Sequence, residues 1–369
     1  MNMNFFVPTR IITGKGCVAA NASEFKKLGN KCLIVTGKSS AEKCGALSDV
    51  KNALDSVGIA YRHYNGIGQN PTYASCKEAS LQAIDFGADF IIGIGGGSPL
   101  DAAKAVAVLA SDKDMDMAEM YGAKWEKAPL KIVAVGTTAG TGSEVTPVAV
   151  ITDTNGLKKS FRDATTYPVL SFGDPTYTMS LPTPFTRSTA VDALCHCVES
   201  YFNRATNDIC RTFSLQGTAI LLDMLEKTAT EEELSYDDRE KLYCASIYGG
   251  LAISVAGTAF PHAFGYFLTE QYGVPHGYAC GVYIESFIEY NLTVAPDEVN
   301  EFFAALGTTK EEFISLVIKN LPCKNLGIKL SDKKIQELLP RYEENKSLKK
   351  CYGTAGADTA KQVLASLFN

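Results

Sequence analysis

The first half of this 369-residue chain alternates short apolar runs with segments of helical periodicity, joined by turns rich in glycine, serine and asparagine. The runs predicted as strands are residues 31–36, 59–64, 90–94 and 131–135, and the first of them is predicted to be buried. Repeated units of strand, short loop and helix are typical of a parallel sheet covered by helices on both faces. Ligands bind such sheets at the carboxyl ends of the strands.

The sequence pattern changes after two prolines, Pro175 and Pro182. Segments with a 3.6-residue apolar period follow, at residues 185–202, 208–225, 237–255 and from 264 through the 280s. We therefore predict an α/β domain at residues 1–178 and an all-α domain at residues 179–369.

Two loops of the first half have the composition of a phosphate cradle. The loop from Gly95 to Asp101 lies between a predicted strand and a helix with Pro99 in its first turn. Glycines let backbone amides approach a pyrophosphate, and the helix N-terminus adds partial positive charge. The three adjacent glycines match the G-x-G-x-x-G fingerprint poorly, so a tight turn that binds nothing is the alternative. The second loop, from Thr137 to Ser143, favours binding.

Asp192 and His196 lie four residues apart in a predicted helix, so their donor atoms share one face. The chain has four histidines, and two of the others, His262 and His276, follow in the helical half. One carboxylate and three imidazoles suit a divalent ion such as iron, nickel or zinc. The alternative is a helix contact between Asp192 and His196 and hydrogen-bonded core histidines.

Composition excludes several classes of function. The net charge is −6 and the longest basic clusters are pairs, so no nucleic-acid partner is expected. Neither a secretory signal nor a run of about 18 apolar residues occurs, so we expect no membrane partner. The eleven cysteines lack paired spacing, which favours reduced thiols and a cytoplasmic protein.

Several motifs together resemble those of the iron-containing (group III) alcohol dehydrogenases. They are the segments GGGSPLDAAK from Gly95 to Lys104 and TTAGTGSEVT from Thr137 to Thr146, the pair Asp192 and His196, His262, and the tripeptide Pro275-His276-Gly277. The resemblance spans nearly the whole chain, in the same order. It implies the dehydroquinate synthase-like, iron alcohol dehydrogenase fold, with a Rossmann-like dinucleotide-binding domain at residues 1–178 and a helical metal-binding domain at residues 179–369. It also implies one divalent metal held by Asp192, His196, His262 and His276. Fe2+ is the expected ion, with Zn2+ or Ni2+ as alternatives.

The same resemblance implies the cofactor contacts. They fall on Asn70, Gly96, Gly97, Ser98, Asp101, Thr137, Thr138, Thr141 and Lys159, although Lys159 could instead be a solvated surface lysine. Family members that prefer NAD often have an aspartate directly after the strand at residues 31–36. Here Gly37, Lys38 and Ser39 occupy this turn, so we predict NADP(H) as the preferred cofactor and NAD(H) as the alternative.

Tyr266 departs from the family pattern. Many members have a second histidine four residues after the first in this segment, and Tyr266 occupies that place. We predict that its hydroxyl contacts the substrate or relays a proton, the alternative being an aromatic wall of the pocket.

The predicted activity is hydride transfer between the nicotinamide and a small aliphatic alcohol, diol or aldehyde, by a homodimer or higher homo-oligomer. A glycerol dehydrogenase-like or dehydroquinate synthase-like enzyme of the same fold and a non-catalytic nucleotide sensor are the alternatives. The dehydroquinate synthase group uses a glutamate and two histidines, and a sensor would need no metal ligands.

Overall fold

The computed structural model describes residues 3–230 and 232–368. The chain divides into two compact units, each with its own core. The α/β unit is formed by Val7–Leu181 and Ser235–Tyr243, and the helical unit by Met1–Phe6, Pro182–Leu234 and Cys244–Asn369.

A six-stranded parallel sheet forms the centre of the α/β unit, in the order β1-β8-β5-β4-β2-β3. A separate antiparallel hairpin pairs β6 with β7. The strands are β1 (Arg10–Thr13), β2 (Lys31–Gly37), β3 (Ala60–Ile67), β4 (Phe90–Gly95), β5 (Lys131–Gly136), β6 (Val148–Thr152), β7 (Lys158–Arg162) and β8 (Leu170–Gly173). All four strands predicted from apolar runs are present in the sheet.

Helices cover the sheet because alternate residues of its central strands point to opposite faces. Leu33 and Val35 of β2 belong to one buried cluster, whereas Cys32 and Ile34 belong to another. The helices of this unit are α1 (Cys17–Ala20), α2 (Ser23–Lys26), α3 (Ser40–Lys43), α4 (Ala46–Ser56), α5 (Tyr73–Phe86), α6 (Gly97–Ser111) and α7 (Met117–Gly122). This arrangement confirms the predicted α/β fold class.

The carboxyl ends of three neighbouring strands are level with one another. Gly95 of β4 is in register with Gly136 of β5, which is in register with Gly173 of β8. The loop after β5 is tied to β4 because the Thr137 amide donates to the Gly95 carbonyl at 2.9 Å. The two predicted phosphate loops therefore begin side by side.

The helical unit contains the remaining helices, in agreement with the predicted all-α half. They are α8 (Thr183–Tyr201), α9 (Asp208–Ala229), α10 (Tyr236–Ala256, whose first eight residues belong to the α/β unit), α11 (Phe260–Tyr272), α12 (His276–Gly281), α13 (Ile284–Val294), α14 (Pro296–Leu306), α15 (Lys310–Lys319), α16 (Asp332–Leu338), α17 (Pro340–Glu343) and α18 (Ala357–Phe368). Every residue of α8 from Ala190 to Tyr201 is buried. This central helix carries Asp192 and His196.

The prediction of one helix from residue 264 through the 280s is wrong. Gly273 ends α11 in the left-handed conformation at φ 65°, and Pro275 precedes α12. A left-handed glycine followed by proline is a common way to end a helix. The chain consequently reverses between His262 and His276.

Among the described residues, no single helix has both the length and the apolar character of a membrane span. Helices α10 and α11 pass this test only as a pair, and they are bent by 107° at their junction.

Candidate functional site

Three helices of the helical unit each bring two residues, four positions apart, to one cluster. Helix α8 contributes Asp192 and His196, α11 contributes His262 and Tyr266, and α12 contributes His276 and Cys280. Residues four apart in a helix lie on the same face, so each pair projects in one direction.

The ligand atoms of this cluster lie close together. One donor atom from each of Asp192, His262, His276 and Cys280 lies within 4.8 Å of the other three. The His196 Nε2 atom is 4.0 Å from Asp192 Oδ1, and its ring stacks on that of His262 with centroids 4.7 Å apart. The structure thus brings together all four residues predicted as metal ligands and adds Cys280.

Glycine allows α12 to approach α8 closely. A Cβ atom at Gly277 would lie 1.7 Å from the Ser188 carbonyl oxygen and 3.1 Å from Asp192 Cβ. One turn later, a Cβ atom at Gly281 would lie 2.4 Å from a methyl carbon of Val191. A larger residue at either position would separate the helices, so these glycines keep His276 beside Asp192.

Glu199 orients His262 although the sequence analysis did not identify it. Its fully buried carboxylate accepts a hydrogen bond from His262 Nδ1 at 2.5 Å, and its second oxygen accepts from the Ala259 amide at 2.5 Å. The first contact sets the imidazole orientation and the second holds the start of α11. Carboxylates that fix the second nitrogen of a metal-binding histidine are a regular feature of metal sites.

Since Nδ1 of His262 donates to Glu199, the lone pair of its neutral imidazole is on Nε2. That atom faces Asp192 Oδ1 at 3.5 Å, and both atoms are buried with no hydrogen-bond partner among the described residues. Two electron pairs that face each other in a buried site require a positive charge between them. A proton or a metal cation satisfies this requirement.

The acid–base equilibria of the cluster reflect this arrangement. Burial raises the pKa of Asp192, but the neighbouring charges of His196, His276 and His262 outweigh burial and leave this pKa below its usual value. For His262, burial lowers the pKa, whereas Cys280, Glu199 and Asp192 raise it well above the usual value. The site therefore attracts positive charge, as a cation site must.

His276 lies between a hydroxyl, an aromatic ring and a thiol. Its Nδ1 atom is 3.4 Å from the Thr269 hydroxyl, and the Tyr266 ring stacks on it with centroids 5.5 Å apart and planes inclined by 17°. Cys280 Sγ is 3.9 Å from both ring nitrogens. Burial raises the pKa of the Cys280 thiol to about 11.

Two residues of the site were missed, and each had a signal in the sequence. Glu199 follows Asp192 by seven residues and His196 by three, so it shares their helical face. Cys280 follows His276 by four residues, a spacing that becomes informative once α12 is known to be a separate helix.

In the α/β unit, the glycine loops form one continuous surface at the strand ends. A Cβ atom at Gly96 would lie 3.0 Å from Thr138 side-chain atoms, and one at Gly97 would lie 3.0 Å from Thr141 Cγ2. The hydroxyl of Ser98 accepts a hydrogen bond from the Asn70 amide at 3.2 Å. The predicted cofactor residues of three segments are therefore neighbours.

The N-terminus of α6 has no side-chain cap, because Gly96 occupies the N-cap position. The first amides of a helix have no acceptor within the helix, and they favour an anion. This end of a 15-residue helix lies at the carboxyl end of β4, where ligands bind parallel sheets.

Asp101 and Lys104 of α6 connect the two loops, because both side chains hydrogen-bond to Ser143 at the end of the second loop. The Asp101 carboxylate accepts hydrogen bonds from the Ser143 hydroxyl at 2.6 Å and the Val150 amide at 2.9 Å. The fully buried Lys104 ammonium donates to Ser143 and to the Val148 carbonyl, each at 2.7 Å. Asp101, one of the predicted cofactor contacts, thus has both oxygens engaged within the protein.

The remaining predicted cofactor residues lie on β7 and in the turn after β2. Lys159 is about half exposed on β7 and forms an ion pair with Asp153 at 2.8 Å. Gly37 ends β2, its Cβ position is 3.9 Å from Pro99, and Lys38 and Ser39 are exposed. The β2 turn is therefore next to the start of α6.

Comparisons with known proteins agree with this architecture. Residues 8–175 match the family model for iron-containing alcohol dehydrogenase, and residues 186–336 match the C-terminal model of the same family. The chain is 32% identical over 289 residues to alcohol dehydrogenase 4 of Schizosaccharomyces pombe, covering 78% of this chain and 68% of that protein. It is 30% identical to lactaldehyde reductase of Escherichia coli K12, covering 81% of this chain and 78% of that enzyme.

Solved structures show the same similarity. An iron-containing alcohol dehydrogenase from Thermotoga maritima superposes with a TM-score of 0.90 at 32% identity, covering 99% of both chains. A sulfoacetaldehyde reductase from Bifidobacterium kashiwanohense, solved with NAD+, has a TM-score of 0.89 at 25% identity and covers 100% of this chain and 99% of its own. The chain belongs to the iron-containing alcohol dehydrogenase family, whose members bind a metal and a nicotinamide cofactor.

Proposed function

We propose that this protein is a metal-dependent alcohol dehydrogenase that exchanges a hydride between NADP(H), in preference to NAD(H), and a small aliphatic alcohol, diol or aldehyde. The observation that carries this proposal is the pair of facing atoms Asp192 Oδ1 and His262 Nε2, which lie 3.5 Å apart and have no hydrogen-bond partner among the residues that the structure describes. We further propose residues 1–178 as the cofactor domain and residues 179–369 as the metal domain.

Asp192, His196, His262 and His276 would hold the divalent ion, with Fe2+ expected and Zn2+ or Ni2+ as alternatives. Such an ion supplies a Lewis acid for the alcohol or aldehyde oxygen, and the nicotinamide supplies or accepts the hydride. The protein's own contribution is positional. Asp192 provides a buried negative charge, Glu199 fixes the His262 ring, and Gly277 keeps His276 beside Asp192.

Tyr266 is the proposed catalytic residue. Its half-buried ring stacks on His276, and its centroid is 6.5 Å from that of His262. A hydroxyl next to the proposed ligands can donate a hydrogen bond to the substrate oxygen or pass its proton onward.

The proposed cofactor contacts are Asn70, Gly96, Gly97, Ser98, Asp101, Thr137, Thr138, Thr141 and Lys159, with Gly37, Lys38 and Ser39 at the adenosine ribose. Support comes from the N-terminus of α6, where Gly96 provides no side-chain cap, and from the contacts of Gly96 and Gly97 with the threonines of the second loop. Asp101 would act by holding Ser143 and the Val150 amide, since these occupy its oxygens.

The preference for NADP(H) rests on the turn after β2. Lys38 and Ser39 are exposed there, and a cation with a hydroxyl suits a 2′-phosphate better than a ribose diol. The sulfoacetaldehyde reductase solved with NAD+ supports the alternative cofactor.

Kinetics with both cofactors tests this preference. We expect kcat/KM to be higher for NADPH than for NADH. Lys38→Asp should lower the ratio of the NADPH value to the NADH value by about tenfold, because a hydrogen bond to a charged group contributes about 1.5 kcal/mol or more and about 1.4 kcal/mol corresponds to tenfold. Lys43→Asp, near the end of α3, is the control and should leave the ratio unchanged. A higher kcat/KM for NADH in the wild type contradicts the preference.

The names of the relatives suggest the substrate class. They include a lactaldehyde reductase, a 1,3-propanediol dehydrogenase and a sulfoacetaldehyde reductase, all acting on compounds of two or three carbons. A panel of such aldehydes, followed by nicotinamide absorbance, should show turnover that chelation abolishes and Fe2+ restores. Turnover that resists complete metal removal would contradict the proposed mechanism.

We also propose a cytoplasmic homodimer or higher homo-oligomer. All eleven cysteines are free thiols, as expected in a reducing compartment. Light scattering of the purified protein at micromolar concentration should give at least twice the 39.7 kDa chain mass.

A further inference from the structure

We infer that Cys280 is an additional ligand of the metal centre and that its sulfur serves ions with affinity for thiolate, such as Zn2+ and Co2+. This inference rests on the proposed function, because it assumes that Asp192, His262 and His276 hold a metal. Cys280 is outside the predicted ligand set, which consists of one carboxylate and three imidazoles.

The position of the sulfur is that of a ligand. Its atom belongs to the set, with donor atoms of Asp192, His262 and His276, in which all pairs lie within 4.8 Å. Metal bonds of about 2.1 Å to nitrogen and 2.3 Å to sulfur place two tetrahedral ligands about 3.5 Å apart. Cys280 Sγ is 3.9 Å from each nitrogen of His276, so a small side-chain adjustment brings both to one ion.

Two independent atoms mark the space beside the sulfur as a cation site. Asp192 Oδ1 and His262 Nε2 belong to residues that are 3% and 2% exposed, and neither atom has a hydrogen-bond partner among the described residues. The Cys280 sulfur is therefore the fourth potential ligand atom around this position, beside those of Asp192, His262 and His276.

The backbone of α11 leaves room for this sulfur. A Cβ atom at Gly265 would lie 2.7 Å from Cys280 Sγ and 3.0 Å from the Ala279 carbonyl oxygen. Any other residue at Gly265 would displace the thiol or separate α11 from α12. The close approach of these helices therefore keeps Cys280 beside His262.

The cluster contains two overlapping donor sets. Both include Asp192, His262 and His276, and the additional donor is either His196 or Cys280. Thiolate favours Zn2+, whereas imidazole and carboxylate also serve Fe2+. On coordination the S–H bond breaks, the sulfur–metal bond forms, and the proton passes to solvent. The choice of ion thus determines whether the sulfur is used.

X-ray absorption of the zinc-loaded protein tests the inference without an activity assay. The wild-type protein, freed of metal with a chelator and given one equivalent of Zn2+ under reducing conditions, should show one sulfur scatterer at about 2.3 Å. Cys280→Ser should retain zinc, lose the sulfur scatterer, and bind Zn2+ about tenfold more weakly. The matched controls are Cys195→Ser and Cys197→Ser, buried thiols of α8 that should leave the sulfur scatterer unchanged.

Cobalt provides a second readout. The Co2+ form of the wild type should absorb in the near ultraviolet through thiolate-to-metal charge transfer, and Cys280→Ser should abolish this band. If Cys280→Ser does not fold, a wild-type sulfur scatterer that persists in both controls still assigns the sulfur to Cys280, because these three thiols are the cysteines on the helices of the cluster.

The outcomes separate this inference from the proposed function. Zinc bound only by nitrogen and oxygen in the wild type overturns the role of Cys280 and leaves the metal centre intact. A sulfur scatterer that persists in Cys280→Ser also overturns the role of Cys280 and leaves the metal centre intact. A wild-type protein that binds neither Zn2+ nor Co2+ overturns the metal centre and this inference together.

Discussion

The cluster around Asp192 consists of side chains, whereas the loops around Gly96 consist mostly of backbone. In the cluster, Asp192, His196 and His262 are buried and His276 is half-buried. Asp192 Oδ1 and His262 Nε2 have no hydrogen-bond partner in the part of the chain that the structure describes. In the loops, glycines remove side chains so that amides at a helix N-terminus remain accessible. The first arrangement suits a small ion held by a few strong bonds, and the second suits an extended anion held by many weak ones.

This difference predicts how each region responds to substitution. A metal centre depends on single ligands, so one replacement should abolish function without unfolding the protein. A backbone cradle depends on the packing beneath it, so the most damaging replacement should be a buried residue that never contacts the ligand. The predictions below test this comparison, beginning with the largest expected effect.

Removal of one ligand tests the side-chain region. His276→Ala should lose stoichiometric metal and reduce kcat/KM by about a thousandfold or more, because a bound metal stabilises the transition state by several kcal/mol. Metal analysis and steady-state kinetics measure both effects, and circular dichroism should show an intact fold. His63→Ala is the control, since His63 lies on β3 and contacts the Thr36 hydroxyl at 2.9 Å. Full metal occupancy in His276→Ala would exclude His276 from the ligand set.

Removal of the buried cation beneath the loops tests the backbone region. Lys104→Met should lower the free energy of unfolding by about 3 kcal/mol, because it leaves the Asp101 carboxylate and the Val148 carbonyl without their buried partner. Denaturant unfolding measures the change. The control is Lys77→Met, which removes hydrogen bonds to two carbonyls at a half-buried site and should cost about 1 kcal/mol or less. Equal effects would show that burial of Lys104 has no special importance.

Replacement of Glu199 tests whether the cluster depends on orientation as well as on ligands. Glu199→Gln should weaken metal binding by about 10-fold to 100-fold, because its amide group presents a donor to either His262 Nδ1 or the Ala259 amide. Competition with a coloured chelator gives the affinity. The control is Glu270→Gln, which alters a carboxylate of α11 that forms an ion pair with Arg341 of α17, and it should bind metal normally. Unchanged affinity in Glu199→Gln would argue against an orienting role.

The smallest expected effect concerns Tyr266. Tyr266→Phe keeps the ring stacked on His276 and removes the hydroxyl, so kcat should fall by about tenfold and the pH profile should change. The control, Tyr272→Phe, alters an exposed tyrosine at the end of α11. If kcat and the pH profile of Tyr266→Phe match those of the wild type, Tyr266 contributes packing alone.

Local sequence patterns were sufficient to predict most strands of the parallel sheet. Apolar runs predicted β2, β4 and β5 because central strands of a parallel sheet are buried on both faces. The predicted strand β3 lies at the edge of the sheet, and its residues are mostly exposed or half-buried. Strands β1 and β7 were not predicted, since their residues are mostly exposed or half-buried and lack such runs. The order of the strands could not be predicted from local patterns either, because neighbouring strands such as β1 and β8 are far apart in the sequence.

For the proposed metal site, the spacing of residues within one helix could be predicted from the sequence, whereas contact between helices could not. The spacing of Asp192 and His196 places both on one face of α8 whatever surrounds that helix. Had residues 264 to the 280s formed one helix, Tyr266 and His276 would lie about 15 Å apart at 1.5 Å per residue. Their rings are instead 5.5 Å apart, because Gly273 and Pro275 end α11 and let the chain reverse.

The sequence by itself therefore determined the class of fold, the two loops and the four candidate ligands, since these depend on local periodicity and residue type. Only the tertiary structure decided that Glu199 contacts His262 and that Cys280 joins the cluster. Those contacts depend on how closely α11 and α12 pack, which Gly265 and Gly277 control through the absence of a side chain. Close packing is a property of pairs of surfaces, and a single helical pattern does not contain it.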